Sequence, residues 1–267
     1  MEITLNISRL MPILRCFLLI LLTLLSSQKA LATSKTPIRV AVAANFAPIL
    51  EQILPQFTQK HGIAVQIISG STGTLFLQIK HGAPFDIFLS ADSVRPQALV
   101  EQGLTAKNSL QTYALGQLAL WSNTQTVSIN TLAKIIDKQR FAIANPDTAP
   151  YGKAAKEVLL SLNLWQQVRG QLVTGININQ TFQQIRSQAV PVGIVANSQL
   201  VLNQLNGTVI PHHLYQPIQQ QLVILKSSRQ INQAQKLSQF LLSRPIQKQI
   251  QDYGYQAITT SHVEPAI

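Results

Sequence analysis

The stretch Gln66-Ile-Ile-Ser-Gly-Ser-Thr-Gly-Thr-Leu75 limits the folds open to this chain more than any other. Val65 to Ile68 reads as a short buried strand. It runs into a tight turn of Ser69, Gly70, Ser71, Thr72, Gly73 and Thr74, and a helix follows from about Thr72. Glycine allows the backbone a positive φ and lets other groups come close to the main chain. The first amides of a helix have no partner inside it, and the helix dipole makes that end partly positive. Hydroxyls beside such amides suit an oxyanion. The plainer reading is that Ser71 or Thr72 only caps the helix. Whether other stretches repeat the arrangement decides between the two.

They do repeat it. Ile38-Arg-Val-Ala-Val-Ala43 reads as a strand and ends at Ala44-Asn45-Phe46. Phe46, Ile49, Leu50, Ile53, Leu54 and Phe57 then recur at helical spacing until Gly62. Asp86-Ile-Phe-Leu-Ser90 is a third strand, and Ala91-Asp92-Ser93 opens a third helix. Strand and helix alternate as in an open α/β sheet, where ligands sit beyond the carboxyl ends of the strands. Asn45, Ser69 to Gly73 and Ser90 to Asp92 all fall there.

Near Tyr113–Gly116 the pattern changes to an extended apolar run, Gln117 to Trp121, and a second α/β set begins. Its strands are Phe141–Ala144, Gln171–Thr174 and Val192–Val195. Its helices open at Pro150-Tyr151-Gly152 and at Asn177-Ile178. Gln221 to Leu225 is again extended, and the chain closes with helices from Asn232 to Asp252. The expected architecture is α/β and bilobal, with two lobes joined by two extended crossovers and a ligand cleft between them. Residues 33–115 and 222–267 make lobe 1, and residues 116–221 make lobe 2.

The first residues read as an export signal. Arg9 and Arg15 precede an apolar run, Cys16 to Leu25, and Ala30-Leu-Ala32 offers small residues for cleavage after Ala32. That run is shorter than the ~20 residues a spanning helix needs. Its loss removes the one cysteine, so the working protein has no disulfide and rests on its core. Formal net charge is +11, which favours anions generally. The basic residues are scattered and not interleaved with aromatics, which argues against nucleic acid as a partner.

Four helix starts can therefore face one cleft: Ala44-Asn45, Ser71-Thr72-Gly73, Pro150-Tyr151-Gly152 and Asn177-Ile178. Proline suits the first helical turn and Asn177 is a good cap. The amides of Tyr151, Gly152 and Ile178 are expected to be free. Of the first turns, only that of Pro150 carries a Lys or Arg, Lys153. Fixed neutral dipoles can still share the charge of a dianion. Asn45 Oδ1 can accept from a ligand hydroxyl. Catalysis needs a nucleophile with a base, and the five histidines stand away from these turns. His61 and His81 lie at helix ends, and His212-His213 has no nearby carboxylate or cysteine to complete a metal site. Asp92 reads as a helix cap, and Asp86 as a strand-edge residue bonding loop amides.

Val40-Ala-Val-Ala-Ala-Asn-Phe46, Ser69-Gly-Ser-Thr-Gly-Thr-Leu75, Gly82-Ala-Pro-Phe-Asp-Ile-Phe-Leu-Ser-Ala-Asp92, Asn145 to Gly152 and Gly193-Ile-Val195 together resemble the molybdate-binding proteins of ABC importers, the ModA family. The likeness runs from about Ile38 to Tyr255. The resemblance implies a periplasmic, bilobal type II binding protein that closes on molybdate or tungstate through hydroxyls and main-chain amides. It places ligand contacts at Asn45, Thr72, Tyr151 and Ile178, with Ala44, Ser71, Gly73 and Ala196 as further contacts. Thr72 stands where the family usually has serine, and Ala196 where one branch has tyrosine. Asn45 and Tyr151 match a second branch.

The expected protein is thus a monomeric, non-enzymatic carrier without cofactor or resident metal. It delivers its anion to an inner-membrane ABC permease with its ATPase. Sulfate or phosphate is the alternative ligand within the same class. A hydrolase or transferase on the same fold, or an adhesive or structural envelope protein, is the alternative outside it.

Overall fold

The computed structural model describes residues 36–258. The export signal, its cleavage after Ala32 and Cys16 lie outside the described residues. Residues 37–258 form one unit, built on two five-stranded sheets.

In the first lobe β1 (Ile38–Ala43), α1 (Ala47–His61), β2 (Val65–Gly70), α2 (Thr72–Lys80), β3 (Ile87–Leu89) and α3 (Val94–Glu101) follow in turn. β1 pairs parallel with β2 and β3. Helices cover both faces, so these strands are apolar nearly throughout. Val40, Val42, Ile87 and Leu89 point to one face, with Phe46, Ile49, Leu50, Ile53 and Phe57. Ala41 and Phe88 point to the other, with Leu75, Ile79 and Leu99. Gly62 ends α1 at φ 61°, a left-handed position that favours glycine, and its amide donates to Thr58 O.

The chain leaves this sheet through β4 (Gln111–Gly116) and enters the second with β5 (Leu118–Ser122), so Gln117 is the crossing residue. The second lobe contains α4 (Leu132–Ile136), β6 (Phe141–Ala144), α5 (Pro150–Ser161), α6 (Trp165–Val168), β7 (Leu172–Gly175), α7 (Ile178–Arg186), β8 (Val192–Ala196), α8 (Asn197–Leu202) and β9 (Thr208–Val209). β6 pairs parallel with β7 and β8, and β5 runs antiparallel to β8. α5 packs on one face and Phe182 and Ile185 of α7 on the other.

β10 (Ile218–Ile224) then returns to the first sheet between β3 and β4, antiparallel to both. α9 (Ile231–Leu242) and α10 (Arg244–Asp252) complete that lobe. The strand orders, β2-β1-β3-β10-β4 and β7-β6-β8-β5-β9, are the same plan twice. β10 pairs with β4 from Ile218, so the first sheet takes the returning chain just after Pro217, whereas the expected boundary stood between Gln221 and Leu222. A run of three glutamines hides the start of this strand, because Gln220 and Gln221 are buried polar residues in it.

Candidate functional site

Each of the four turns brings its amides to the cleft by a local device. After β1, Ala44 N donates to Gly70 O at 2.9 Å and Phe46 N to Ala43 O at 2.9 Å. The Asn45 amide between them is left over. After β2, Ser71 caps α2: its Oγ accepts from Thr74 N at 3.3 Å and meets Thr74 Oγ1 at 2.7 Å. Thr72 Oγ1 accepts from Ala91 N at 3.1 Å, which leaves the hydroxyl hydrogen available. After β6, Asn145 Oδ1 accepts from Asp147 N and Asn145 O from Ala149 N, and Pro150 starts α5 with no N–H to satisfy. After β7, Asn177 Oδ1 accepts from Gln180 N at 3.0 Å, capping α7.

These turns enclose one cavity of about 200 Å³, including its mouth. Its wall includes Ala44, Asn45, Ser71 and Thr72 from lobe 1 and Tyr151 and Ile178 from lobe 2, and every lining side chain is neutral. The N–H groups of Asn45, Ser71, Thr72, Tyr151 and Ile178 have no hydrogen-bond partner among the described residues. An open groove between α1 and β2 is larger, about 1030 Å³, but it presents Leu54, Pro55, Val65 and Ile67 and no comparable set of donors.

The further contacts divide. Ala44 N and Gly73 N are already bonded within the protein, the latter to Thr148 O of lobe 2 at 2.8 Å. Ala196 is buried at the end of β8, its N–H donates to Gln199 Oε1, and it is not part of the cavity wall. Asp86 accepts from Arg39 N at 2.7 Å and from Ser228 Oγ at 2.6 Å. Asp92, expected as the cap of α3, stands one residue before the cap position Ser93 and accepts from Arg95 N at 3.0 Å. His212 packs against Tyr215 and Gln256, away from the cavity.

A buried polar cluster lies beside the cavity. Asn45 Nδ2 donates to Gln220 Oε1 at 2.9 Å and to Tyr255 Oη at 3.0 Å, with Tyr151 Oη at 3.5 Å. Gln220 Oε1 also accepts from Tyr113 Oη at 3.1 Å, while Gln220 Nε2 donates to Tyr151 Oη at 3.1 Å. Ser198 Oγ donates to Tyr255 Oη at 3.4 Å. Both lobes and the returning strand thus meet in one neutral network. Burial pushes the Tyr113 and Tyr151 hydroxyls well above their ordinary range. It pushes Tyr255 to about 12 against the opposing effect of bonds to Ser198 and Asn45. All three stay protonated at neutral pH. Gly116 makes room for this network: a Cβ there would stand 2.4 Å from Tyr151 Oη and 2.9 Å from Gln220 Nε2.

At the rim the lobes meet again. Arg95 pairs with Asp92 of its own lobe, and its Nη2 donates to Asp147 O of lobe 2 at 3.1 Å. Sequence reasoning placed the four turns but missed Gln220, Tyr255, Tyr113 and Arg95. The one sequence signal for Gln220 is polar residues inside an apolar strand.

Residues 38–256 match the family described as bacterial extracellular solute-binding protein. The molybdate-binding protein ModA of Rhodobacter capsulatus is 37% identical over 229 residues, 85% of this chain and 90% of that protein. That of Azotobacter vinelandii is 37% identical over 233 residues, covering 85% and 92%. The solved structure of the Azotobacter vinelandii periplasmic molybdate-binding protein superposes with a TM-score of 0.79 at 33% identity, over 83% of this chain and all of that one.

Proposed function

Since the chain belongs to the bacterial extracellular solute-binding proteins, and among them to the ModA molybdate-binding proteins, we propose that it captures molybdate or tungstate between its lobes and hands the anion to an ABC permease. The observation that carries this reading is the set of unpartnered amides, from Asn45, Thr72, Tyr151 and Ile178, on one small neutral cavity shared by both lobes. Each amide opens or precedes a helix, so the dipoles add to the bare N–H donors. The Thr72 hydroxyl adds a donor whose oxygen is held by Ala91 N. No carboxylate faces the cavity to repel an anion, and no cation is there to hold one indiscriminately.

Selection follows from rigidity. Donors fixed at helix starts cannot follow a smaller anion inward without straining their elements. Molybdate and tungstate share size and charge and bind alike. Sulfate leaves some donors long, at about 1.5–3 kcal/mol each, so two such donors weaken it a hundredfold or more. Ala44 N and Gly73 N contribute to the walls and not as donors to the anion, because each is already bonded. The protein works as a monomer, outside the cytoplasmic membrane, after removal of residues 1–32.

Calorimetric titration of the mature protein with molybdate, tungstate, sulfate and phosphate tests the reading. Tight, similar binding of the first two and at least hundredfold weaker sulfate is the expected result. Equal affinity for sulfate and molybdate would transfer the function to a general oxyanion carrier, and no binding of any of the four would remove it.

A further inference from the structure

Rigid donors alone do not exclude a smaller anion, because two rigid lobes can still close further on it. Something must halt them at the right width. Gly73 meets the second lobe where that halt is needed. Its N–H donates to Thr148 O at 2.8 Å, main chain to main chain. That separation is already at the short end for such a bond, so the lobes cannot draw nearer there. The contact also stands beside a donor on each wall of the cavity. Thr72 immediately precedes Gly73, and Tyr151 follows Thr148 by three residues.

The backbone does not require this glycine. Gly73 lies in the first turn of α2, and its φ is not positive. Alanine is the better helix former there, so α2 by itself gives no reason for glycine. The approach of the other lobe gives one. A Cβ at position 73 would stand 3.0 Å from Thr148 O, 3.1 Å from Thr148 Cα and 3.2 Å from Arg95 Nη2. Neither main chain can yield locally. α2 is held by the Ser71 cap and by Thr72 Oγ1 on Ala91 N. Across the cleft, Asn145 holds the amides of Asp147 and Ala149, the two neighbours of Thr148. Gly152 seats α5 so closely on β6 that a Cβ there would lie 2.2 Å from Ala144 O. A methyl at position 73 therefore parts the lobes by a few tenths of an ångström.

We propose that Gly73 is a specificity-determining residue: its main-chain contact with Thr148 O is the stop that sets the width of the closed cleft, and with it the size of oxyanion that both lobes can hold. The inference rests on the oxyanion reading of the cavity. Molybdate meets the donors of both lobes at that width. Sulfate leaves those of one lobe long, and the stop forbids the further closure that would bring them in. The contact carries no charge, so the width does not depend on the Arg95–Asp92 pair beside it.

The test titrates mature wild type and Gly73→Ala calorimetrically with sodium molybdate, and with sodium sulfate in competition against molybdate. Gly73→Ala should weaken molybdate about tenfold, as for one donor lost from a charged ligand. Sulfate should weaken much less, because its donors are already long, so the molybdate-to-sulfate ratio contracts. A fault of folding would lower the binding-competent fraction and leave that ratio alone. A second measurement needs no variant. The Gly73 amide has no partner within α2, so in ¹⁵N-labelled wild type its protection from hydrogen exchange reports the bond to Thr148 O, and molybdate should raise it. Gly73→Ala that holds molybdate as tightly as the wild type, or loses both anions by the same factor, would overturn the proposal. So would a Gly73 amide that exchanges as fast with molybdate as without it. A wild type that does not bind molybdate overturns the oxyanion reading itself, which keeps the two failures apart.

Discussion

Two of the contacts between the lobes differ in almost every physical respect. Beside the cavity, Asn45, Tyr113, Tyr151, Gln220 and Tyr255 are buried and neutral and bond in a closed network. At the rim, Arg95 reaches Asp147 O from a partly exposed ion pair with Asp92, and Gly73 N reaches Thr148 O. Buried hydrogen bonds act in a low dielectric and every missing partner is felt in full. Exposed charges are screened by salt and contribute little each. The comparison sets an expectation: losing a partner of the inner contact should cost far more than losing the rim pair.

The sharpest way to break the inner contact is Gly116→Ala. The new methyl would stand 2.4 Å from Tyr151 Oη and 2.9 Å from Gln220 Nε2, so both side chains must give way and their mutual bond is lost. With two or more donors displaced at about 1.5–3 kcal/mol each, molybdate affinity should fall a hundredfold or more in calorimetry. The rim should not compensate.

Alkali should dissolve the inner contact selectively. The Tyr255 hydroxyl stands near 10 in the unfolded chain and about 12 in the fold. Between those values the unfolded chain has released a proton that the fold retains, so stability falls as pH rises. The stabilisation is fully present below pH ~10 and is lost through pH ~12, roughly 2–3 kcal/mol for this group alone. Buried Tyr113 and Tyr151 shift in the same direction. Urea midpoints measured from pH 8 to 11.5 should drop above pH 10. A flat profile there would show that the hydroxyls are solvated.

A third change separates side-chain from main-chain donors within the cavity. Thr72→Val keeps the shape but removes the hydroxyl held by Ala91 N. Molybdate binding should weaken by about 1.5–3 kcal/mol. Ile178→Val leaves the α7 amide in place and should be nearly neutral. Equal losses would place the anion elsewhere.

How much of this was legible beforehand follows the same division. The four turns could be read because each is local: an apolar strand, a small or polar turn and a helix start lie within about ten residues of one another in the sequence. β1, β6 and the start of α2 fall where the pattern puts them. The short α4, α6 and β9 were not foreseen, since stretches such as Trp165–Val168 carry too few residues for a period to show. The cluster was illegible for a stronger reason. Asn45 and Tyr255 are 210 positions apart and Asn45 and Gln220 are 175 apart, and nothing local marks a glutamine as a partner of either. Ala196, a further contact by resemblance, stands at the end of β8 with its N–H bonded to Gln199.

The smallest effect is expected at the rim, and it is the one that best separates the two regions. Arg95→Gln retains a donor that can reach toward Asp147 O but removes the charge that Asp92 holds in place. Arg95 is 24% and Asp92 16% exposed at the side chain, so the pair is partly screened and the loss should be about 0.2–1 kcal/mol. Lobe separation must break the rim bonds, whereas encounter with the anion need not, so most of this should fall on the dissociation rate. Release of molybdate from the wild type should quicken modestly as salt rises from 50 to 500 mM, because screening weakens the ion pair. In Arg95→Gln that added salt sensitivity should be gone, with release already at the faster rate. In Gln220→Met the salt sensitivity should persist on top of a faster baseline, since the neutral network has no charge to screen. Release of radiolabelled molybdate into excess unlabelled molybdate, sampled by rapid filtration, would read all three. If Gln220→Met abolished the salt dependence and Arg95→Gln kept it, the division between a positioning interior and an adjustable rim would be reversed.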